Sequence, residues 1–297
     1  MWRAWRERRV RCSYGCHVVH AGRTQRKGWQ LRVLGTRRSA SYDDGFAAGR
    51  GQPPSRARKR FRLGFRIAKI VLAFVVLLAV AGGLLFVLTP SAGRATALTR
   101  AQAEQHHIAY PGPQVPQYFA EALVATEDHR FNTDPGVDPF AMARAAASWL
   151  TGQQDQGGST IDQQLAKNLY TSGHSGFTQV LEQLALAVKL NMTYSRTEIL
   201  QMYAEVAYYG HGYYGLGAAS CGYFGRTPAE LSLVQAAMLA GVVNAPTYDD
   251  PLVYPAQARA RLVHVIGRMA TVGYLTPAQE TAALNASLDL SAVRGCP

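Results

Sequence analysis

The chain has 297 residues and a formal net charge of +12, but that charge is unevenly spread. Residues 1–66 hold 18 Lys+Arg against three acids, a surplus of 15, while the remainder holds 13 Lys+Arg against 16 acids. The basic balance therefore belongs to a tail and not to a folded domain. Beside an apolar run it speaks for membrane topology and against nucleic acid as a partner.

The tail is rich in Arg, Gly and Ser, breaks at Gln52-Pro53-Pro54-Ser55, and reads as a disordered cytoplasmic segment over 1–66. Its Cys12, Cys16, His17 and His20 are too closely spaced for a standard zinc finger. Ile70 to Leu88 is an uncharged apolar run of 19 residues, close to the ~20 that span a bilayer. Residues 67–89 are therefore expected to be a single transmembrane anchor. The basic excess on its N-terminal side keeps the N-terminus inside and the C-terminal domain outside. A cleaved signal peptide is the runner-up, disfavoured by the length of both the run and the arm before it.

Residues 90–116, with Pro90, Gly93, Pro111, Gly112 and Pro113, read as a linker. From Gln117 the apolar spacing turns helical. Tyr118, Phe119, Ala122, Leu123 and Ala125 give one face, and 140–150, 161–169, 180–192, 198–206 and 231–243 follow the same period. Ala is abundant and β-branched alternation is scarce, so an all-α domain is expected over 117–297, behind one N-terminal transmembrane helix. Cys221 and Cys296 fall in this domain and can pair in an oxidising compartment, although nothing in the sequence brings them together.

The densest polar stretch is Gly157-Gly158-Ser159-Thr160-Ile161-Asp162-Gln163-Gln164-Leu165-Ala166-Lys167-Asn168. The Ser-Thr pair can cap a helix. Gln163 and Lys167 then share one face, with Gln164 and Asn168 beside them. A helix N-terminus with free N–H groups and a lysine one turn in is suited to an anion such as a pyrophosphate. A capped, solvated helix start is the plainer alternative. Glu127-Asp128 closes the first helical run and leads to Phe131, Asp134, Gly136 and Asp138. Taken alone, an adjacent Glu-Asp is more often a solvated pair than a catalytic one.

These motifs together resemble family 51 glycosyltransferases, the peptidoglycan transglycosylases that polymerise lipid II. The glycine-opened stretch is similar to the family's GGSTITQQ-x-x-KN, with Asp162 in place of Thr. The Glu-Asp segment resembles ED-x-x-F-x-x-H-x-G-x-D, with Asp134 in place of His, and Arg144-Ala145 matches the Arg-Ala that follows. Tyr194 to Glu205 resembles YSKDEILELYLN, with Gln201 for Glu and Glu205 for Asn. Further blocks run from Gly215 through Ala245-Pro246-Thr247-Tyr248, with Gln235 where Glu is usual.

The resemblance implies a lysozyme-like helical fold and a general base at Glu127, which takes the proton of the acceptor sugar's 4-hydroxyl. Substrate contacts fall on Asp128, Arg144, Ser159, Thr160, Gln163, Gln164, Lys167, Asn168 and Gln183. Lys167, with Arg144 the weaker candidate, stabilises the departing pyrophosphate electrostatically. No cofactor is implied. A divalent cation assisting the pyrophosphate remains open, with no ligand set visible. The implied partners are lipid II, the growing glycan strand, the membrane and other cell-wall synthesis proteins. The blocks stop near Pro277 and the chain ends at Pro297, so a monofunctional form without a transpeptidase domain is expected.

The family's R-K-x-x-E motif is where this chain departs. Counted without gaps, the motif's Glu falls on Gln183 and its Arg-Lys on Gln179 and Val180. Glu182, one residue earlier, is the tentative second catalytic acid. One helical step is ~100° of rotation, so Glu182 reaches the same place only through a helix irregularity. Glu198 and Glu205 stay open as substitutes. Three functions follow: an active transferase, a lipid II-binding scaffold that has lost polymerisation, or a lysozyme-like hydrolase. The GGST-x-x-QQ-x-x-KN pattern speaks against the last.

Overall fold

A computed structural model describes residues 56–152, 158–174 and 176–291. Gly157, the cysteines of the tail, Cys296 and most of the expected tail lie outside the described residues. Helices make up the described regular structure, joined by turns and one isolated bridge between Tyr208 and Tyr214. The all-α expectation therefore holds.

Helix α1 (Arg56–Leu88) carries the apolar run. The side chains from Leu63 to Leu88 are mostly exposed, and the helix is long and apolar enough to cross a membrane. Its end is tied to the rest of the chain. Lys189 Nζ donates to the carbonyls of Thr89 at 2.7 Å and Pro90 at 3.1 Å, and sits 4.8 Å over the Phe86 ring. The hydroxyls of Tyr170 and Tyr194 donate to the Ala92 carbonyl.

The stretch 90–116, expected as a linker, contains a 3-10 turn at Ala92–Arg94 and helix α2 (Ala95–Gln105). Ala92, Ala95, Thr99 and Ala103 are buried, and Gln102 donates to the Asn168 carbonyl at 2.8 Å. Small residues at helical spacing allow this close packing. Flanking Pro and Gly concealed the helix in the sequence.

Two helix groups follow. In the first, α9 (Leu233–Val242) packs on α3 (Gln117–Glu127) and α10 (Pro255–Thr271). Helix α9 is buried on nearly every side, as its largely apolar sequence requires. In the second, α5 (Ile161–Tyr170) packs on α6 (Phe177–Thr193) and α7 (Arg196–Val206). Helix α4 (Pro139–Thr151) precedes this group, α8 (Leu216–Phe224) follows it, and α11 (Pro277–Asn285) lies against α10.

Reciprocal capping boxes start α5 at Thr160/Gln163, α7 at Ser195/Glu198, α9 at Ser232/Gln235 and α11 at Thr276/Gln279. Gln235, where the family has Glu, keeps its box and adds a bond to the Leu288 carbonyl. Cys221, on α8, is disulfide-bonded.

Gly136, in the turn before α4, has φ +90°, and a Cβ there meets the Ala187 carbonyl oxygen at 2.5 Å. Gly136→Ala is expected to destabilise the domain by about 1–3 kcal/mol through combined backbone strain and overpacking. Chemical denaturation of the purified variant beside wild type checks this.

Candidate active site

Glu127 is the last residue of α3, at the negative end of that helix, and its side chain is 7% exposed. A buried carboxylate there needs a cation. Helix α10 supplies it: Arg261 Nη2 donates to Glu127 Oε1 at 2.8 Å, and Arg261 Nε donates to the Gly241 carbonyl at 3.1 Å. About two turns later, Arg268 Nε donates to the Ala125 carbonyl at 3.2 Å. The other carboxylate oxygen accepts from Gln164 Nε2 at 3.0 Å and from Asn244 Nδ2 at 3.5 Å. The Tyr203 hydroxyl donates to Gln164 Oε1 at 2.8 Å, which fixes that amide's orientation. Burial, with the Glu127 charge second, holds the Tyr203 phenol far above its usual range, so it stays a neutral donor.

A cleft of about 1320 Å³ opens over this carboxylate. Glu127, Ser159, Gln163, Gln164, Lys167, Asn168 and Gln183 line it, so the structure brings together these residues singled out in the sequence. Asp128, Arg144, Thr160 and Glu182 are not among the lining residues. Asp128 is buried and its Oδ2 accepts from the Ile161 N–H at 3.2 Å, holding the start of α5. Thr160 is buried in the capping box, and its hydroxyl donates to the Gly136 carbonyl at 2.7 Å. Arg144 is exposed on α4.

The expected free N–H groups at the start of α5 are corrected here. Ile161 N–H is taken by Asp128, Gln163 N–H by Thr160 Oγ1, and Thr160 N–H by Gln163 Oε1. An anion in the cleft therefore meets side chains such as Lys167, Ser159 and Asn168 in place of those amides.

Glu182, the tentative second acid, is not among the residues that line the cleft. Gln183, one step on, faces the cleft, and its Nε2 donates to Thr171 Oγ1 at 2.7 Å. The other candidate acids are engaged elsewhere. Glu198 closes the α7 capping box, and Glu205 accepts from Gly112 N–H at 2.8 Å and Gln201 Nε2 at 2.9 Å. Gln201 also donates to the Pro113 carbonyl, so this pair clamps the segment before α3. Glu127 is the one acid among the described residues that line the cleft.

Tyr203, Asn244, Arg261 and His264 were not singled out in the sequence, yet all line the cleft. Burial, then Arg261 and Arg268, lowers the His264 pKa, so it is neutral near pH 7. The signal for α10 was present: Ala258, Leu262, Val265, Ile266 and Met269 follow helical spacing and are buried.

The family model described as Transglycosylase matches residues 94–270, more than half of the chain. The chain belongs to the transglycosylase family. The match begins inside the stretch expected as a linker, in keeping with packed α2. Penicillin-binding protein 1A of Aquifex aeolicus is 40% identical over 176 residues, covering 59% of this chain and 24% of that protein. Penicillin-binding protein 1A of Escherichia coli is 38% identical over 189 residues, covering 62% of this chain and 22% of that protein. The chain thus spans about a quarter of the length of these relatives. A Cupriavidus necator protein provisionally named a transglycosylase is 34% identical over 174 residues, covering 59% of this chain and 75% of that protein.

Arg261→Ala strands the transglycosylase domain's buried Glu127 charge at the end of α3. It is expected to destabilise the fold by about 3 kcal/mol. The double variant Glu127→Gln/Arg261→Ala is expected to lose less than the sum of the single variants. A double-mutant cycle by chemical denaturation measures this coupling.

Proposed function

We propose that this chain is a peptidoglycan glycosyltransferase that polymerises lipid II into β-1,4-linked glycan strands and releases lipid pyrophosphate, with Glu127 as general base. The observation that carries this reading is the composition of the cleft. One buried carboxylate, held by Arg261 and Gln164, shares it with Lys167 and an amide-rich face of α5. Membership of the transglycosylase family supports the same reaction class.

In this mechanism the acceptor's 4-hydroxyl attacks the anomeric carbon of the donor sugar while its proton passes to Glu127. The bond to the pyrophosphate oxygen breaks on the opposite face, so the anomeric centre inverts. Lys167 carries the developing phosphate charge, with Ser159 and Asn168 as hydrogen-bond partners. Helix α1 anchors the chain in the bacterial cytoplasmic membrane as a single span, N-terminus inside and catalytic domain outside, where a lipid-linked substrate resides. Met142, Phe177 and Val180 are exposed apolar residues on the cleft's rim, suited to a lipid chain. Other cell-wall synthesis proteins are the natural partners. Tyr208, Tyr209, Tyr213 and Tyr214, close together in sequence, are less suited to membrane contact, because Tyr209 is fully buried and Tyr213 packs edge-on against Tyr223.

A second reading rests on one observation, that Glu127 has no companion acid among the described cleft residues. In that reading the domain binds lipid II or glycan as a scaffold and does not polymerise it. Glycan formation from labelled lipid II by the detergent-solubilised protein separates the two. Wild type is expected to give polymer, and Glu127→Gln at least ~100-fold less, with lipid II still bound. Polymer from both proteins overturns Glu127 as the base. Lipid II binding without polymer from either favours the scaffold. Lys167→Ala is expected to weaken lipid II binding, measured by titration, and unchanged affinity removes its pyrophosphate role. Gln183→Glu, which restores the family's acid at the cleft, is expected to raise polymerisation in the same assay.

A further inference from the structure

Behind the start of α5, outside the residues lining the cleft, three carboxyl groups meet in the protein interior. Asp128 follows α3, Asp134 lies in the turn before α4, and Asp162 sits in the first turn of α5. Each offers an oxygen, and these oxygens all lie within 4.8 Å of one another. All three residues are buried, Asp134 at 7% exposure and Asp162 at 0%. The polar groups around them leave capacity unused. Asp128 Oδ2 accepts from Ile161 N–H at 3.2 Å and Asp134 Oδ1 from Gly136 N–H at 2.8 Å. Asp134 Oδ2 and Asp162 Oδ2 are buried and accept no hydrogen bond.

Arg196 Nη1 lies 3.6 Å from Asp162 Oδ2, and the same guanidinium donates to the Asp134 carbonyl. With all three carboxyl groups ionised, the single guanidinium leaves two negative charges, the charge that one divalent cation neutralises. Buried carboxylates left unpaired are costly, and they take up either protons or a cation. We propose that Asp128, Asp134 and Asp162 form a buried calcium site that locks the start of α5 to the loop after α3. Calcium takes six to eight oxygen ligands at ~2.3–2.6 Å in flexible geometry, which suits carboxyl groups drawn from three separate segments. Magnesium demands near-ideal octahedral geometry and dehydrates reluctantly, so it is seldom held by an all-protein cage. Asp134 and Asp162 are two of the positions where this chain departs from the family pattern, and the fold brings the departures together.

The site does not depend on the glycosyl-transfer reading, because none of its ligands lines the cleft. It is also distinct from a cation riding on the substrate's pyrophosphate. Its role is positional: it fixes the helix that presents Gln164 and Lys167.

The test uses the full chain in detergent, stripped with EDTA and moved to chelator-free buffer at pH 8, where protons compete least for the carboxyls. Calcium chloride is titrated by calorimetry, and thermal unfolding is followed with and without it. One calcium per chain is expected, together with a Tm rise of several degrees at saturating calcium. Asp134→Asn and Asp162→Asn are each expected to weaken binding ten-fold or more. If either fails to fold, Asp134→His and Asp162→Thr take its place in the same titration. Absence of both binding heat and Tm shift in wild type up to about 10 mM calcium overturns the site, leaving Arg196 and protons to balance the cluster. Calcium binding that the folded variants leave unchanged also overturns it.

Discussion

A carboxylate at the wrong end of a helix is the constraint around which this fold is arranged. Glu127 closes α3, where the backbone carbonyls already concentrate negative charge, and it is nearly buried. Neither condition is tolerable alone. Helix α10 answers both, with Arg261 on the carboxylate and Arg268 on the Ala125 carbonyl. The packing of α9 between α3 and α10 follows the same logic: its small residues, Ala236, Ala237 and Ala240, let the other two helices approach. Gly241, on the same helix, accepts from Arg261 and so fixes the arginine's reach. The core and the ion pair therefore depend on one another.

The second helix group brings the substrate-facing side chains to that carboxylate. Helix α5 is short, yet it is tied at both ends. Its start is bound by the capping box, by Asp128 and by the Gly136 carbonyl. Near its end, α2 holds the Asn168 carbonyl and Tyr170 reaches back to the turn below α1. Those ties make Gln164 and Lys167 parts of a rigid frame, which matters because electrostatic stabilisation of a departing phosphate depends on preorganised geometry. The contacts of Lys189 with Thr89, Pro90 and Phe86 extend the frame to the apolar helix. The polar face of the cleft is thereby coupled to the segment suited to cross the membrane.

Local patterns were legible in the sequence and convergent ones were not. The capping box of α5 follows from Ser-Thr then Gln three residues on, and the helical period located α3, α5, α7 and α9. Glu127 stood out through its motif. Arg261 and His264 did not, because an arginine and a histidine in an amphipathic helix look like ordinary surface groups until the fold sets them opposite a distant carboxylate. Asp128, expected among the substrate contacts, lies outside the cleft lining for a related reason. A residue beside a catalytic candidate in sequence points away from it at a helix end, and here it caps the next helix instead. The same rotation argument explains Gln183 and Glu182, where one helical step decides which of the two faces the cleft.

The substitutions in this chain divide by location, and that division bears on function. Those at Gln201, Glu205 and Gln235 sit in structural hydrogen bonds, where amide and carboxylate exchange roles without leaving a donor or acceptor stranded. Gln183 differs, because it faces the cleft and holds Thr171 by its amide N–H. A carboxylate there would lose that donor but add a charge opposite Lys167. With Gln instead, the ionic lining is one carboxylate against Arg261 and Lys167, a cleft biased toward positive charge. That bias suits an anionic pyrophosphate and leaves proton removal to a single group. A cleft so arranged can run an inverting displacement with one base, provided the leaving group departs as an anion and needs no acid of its own.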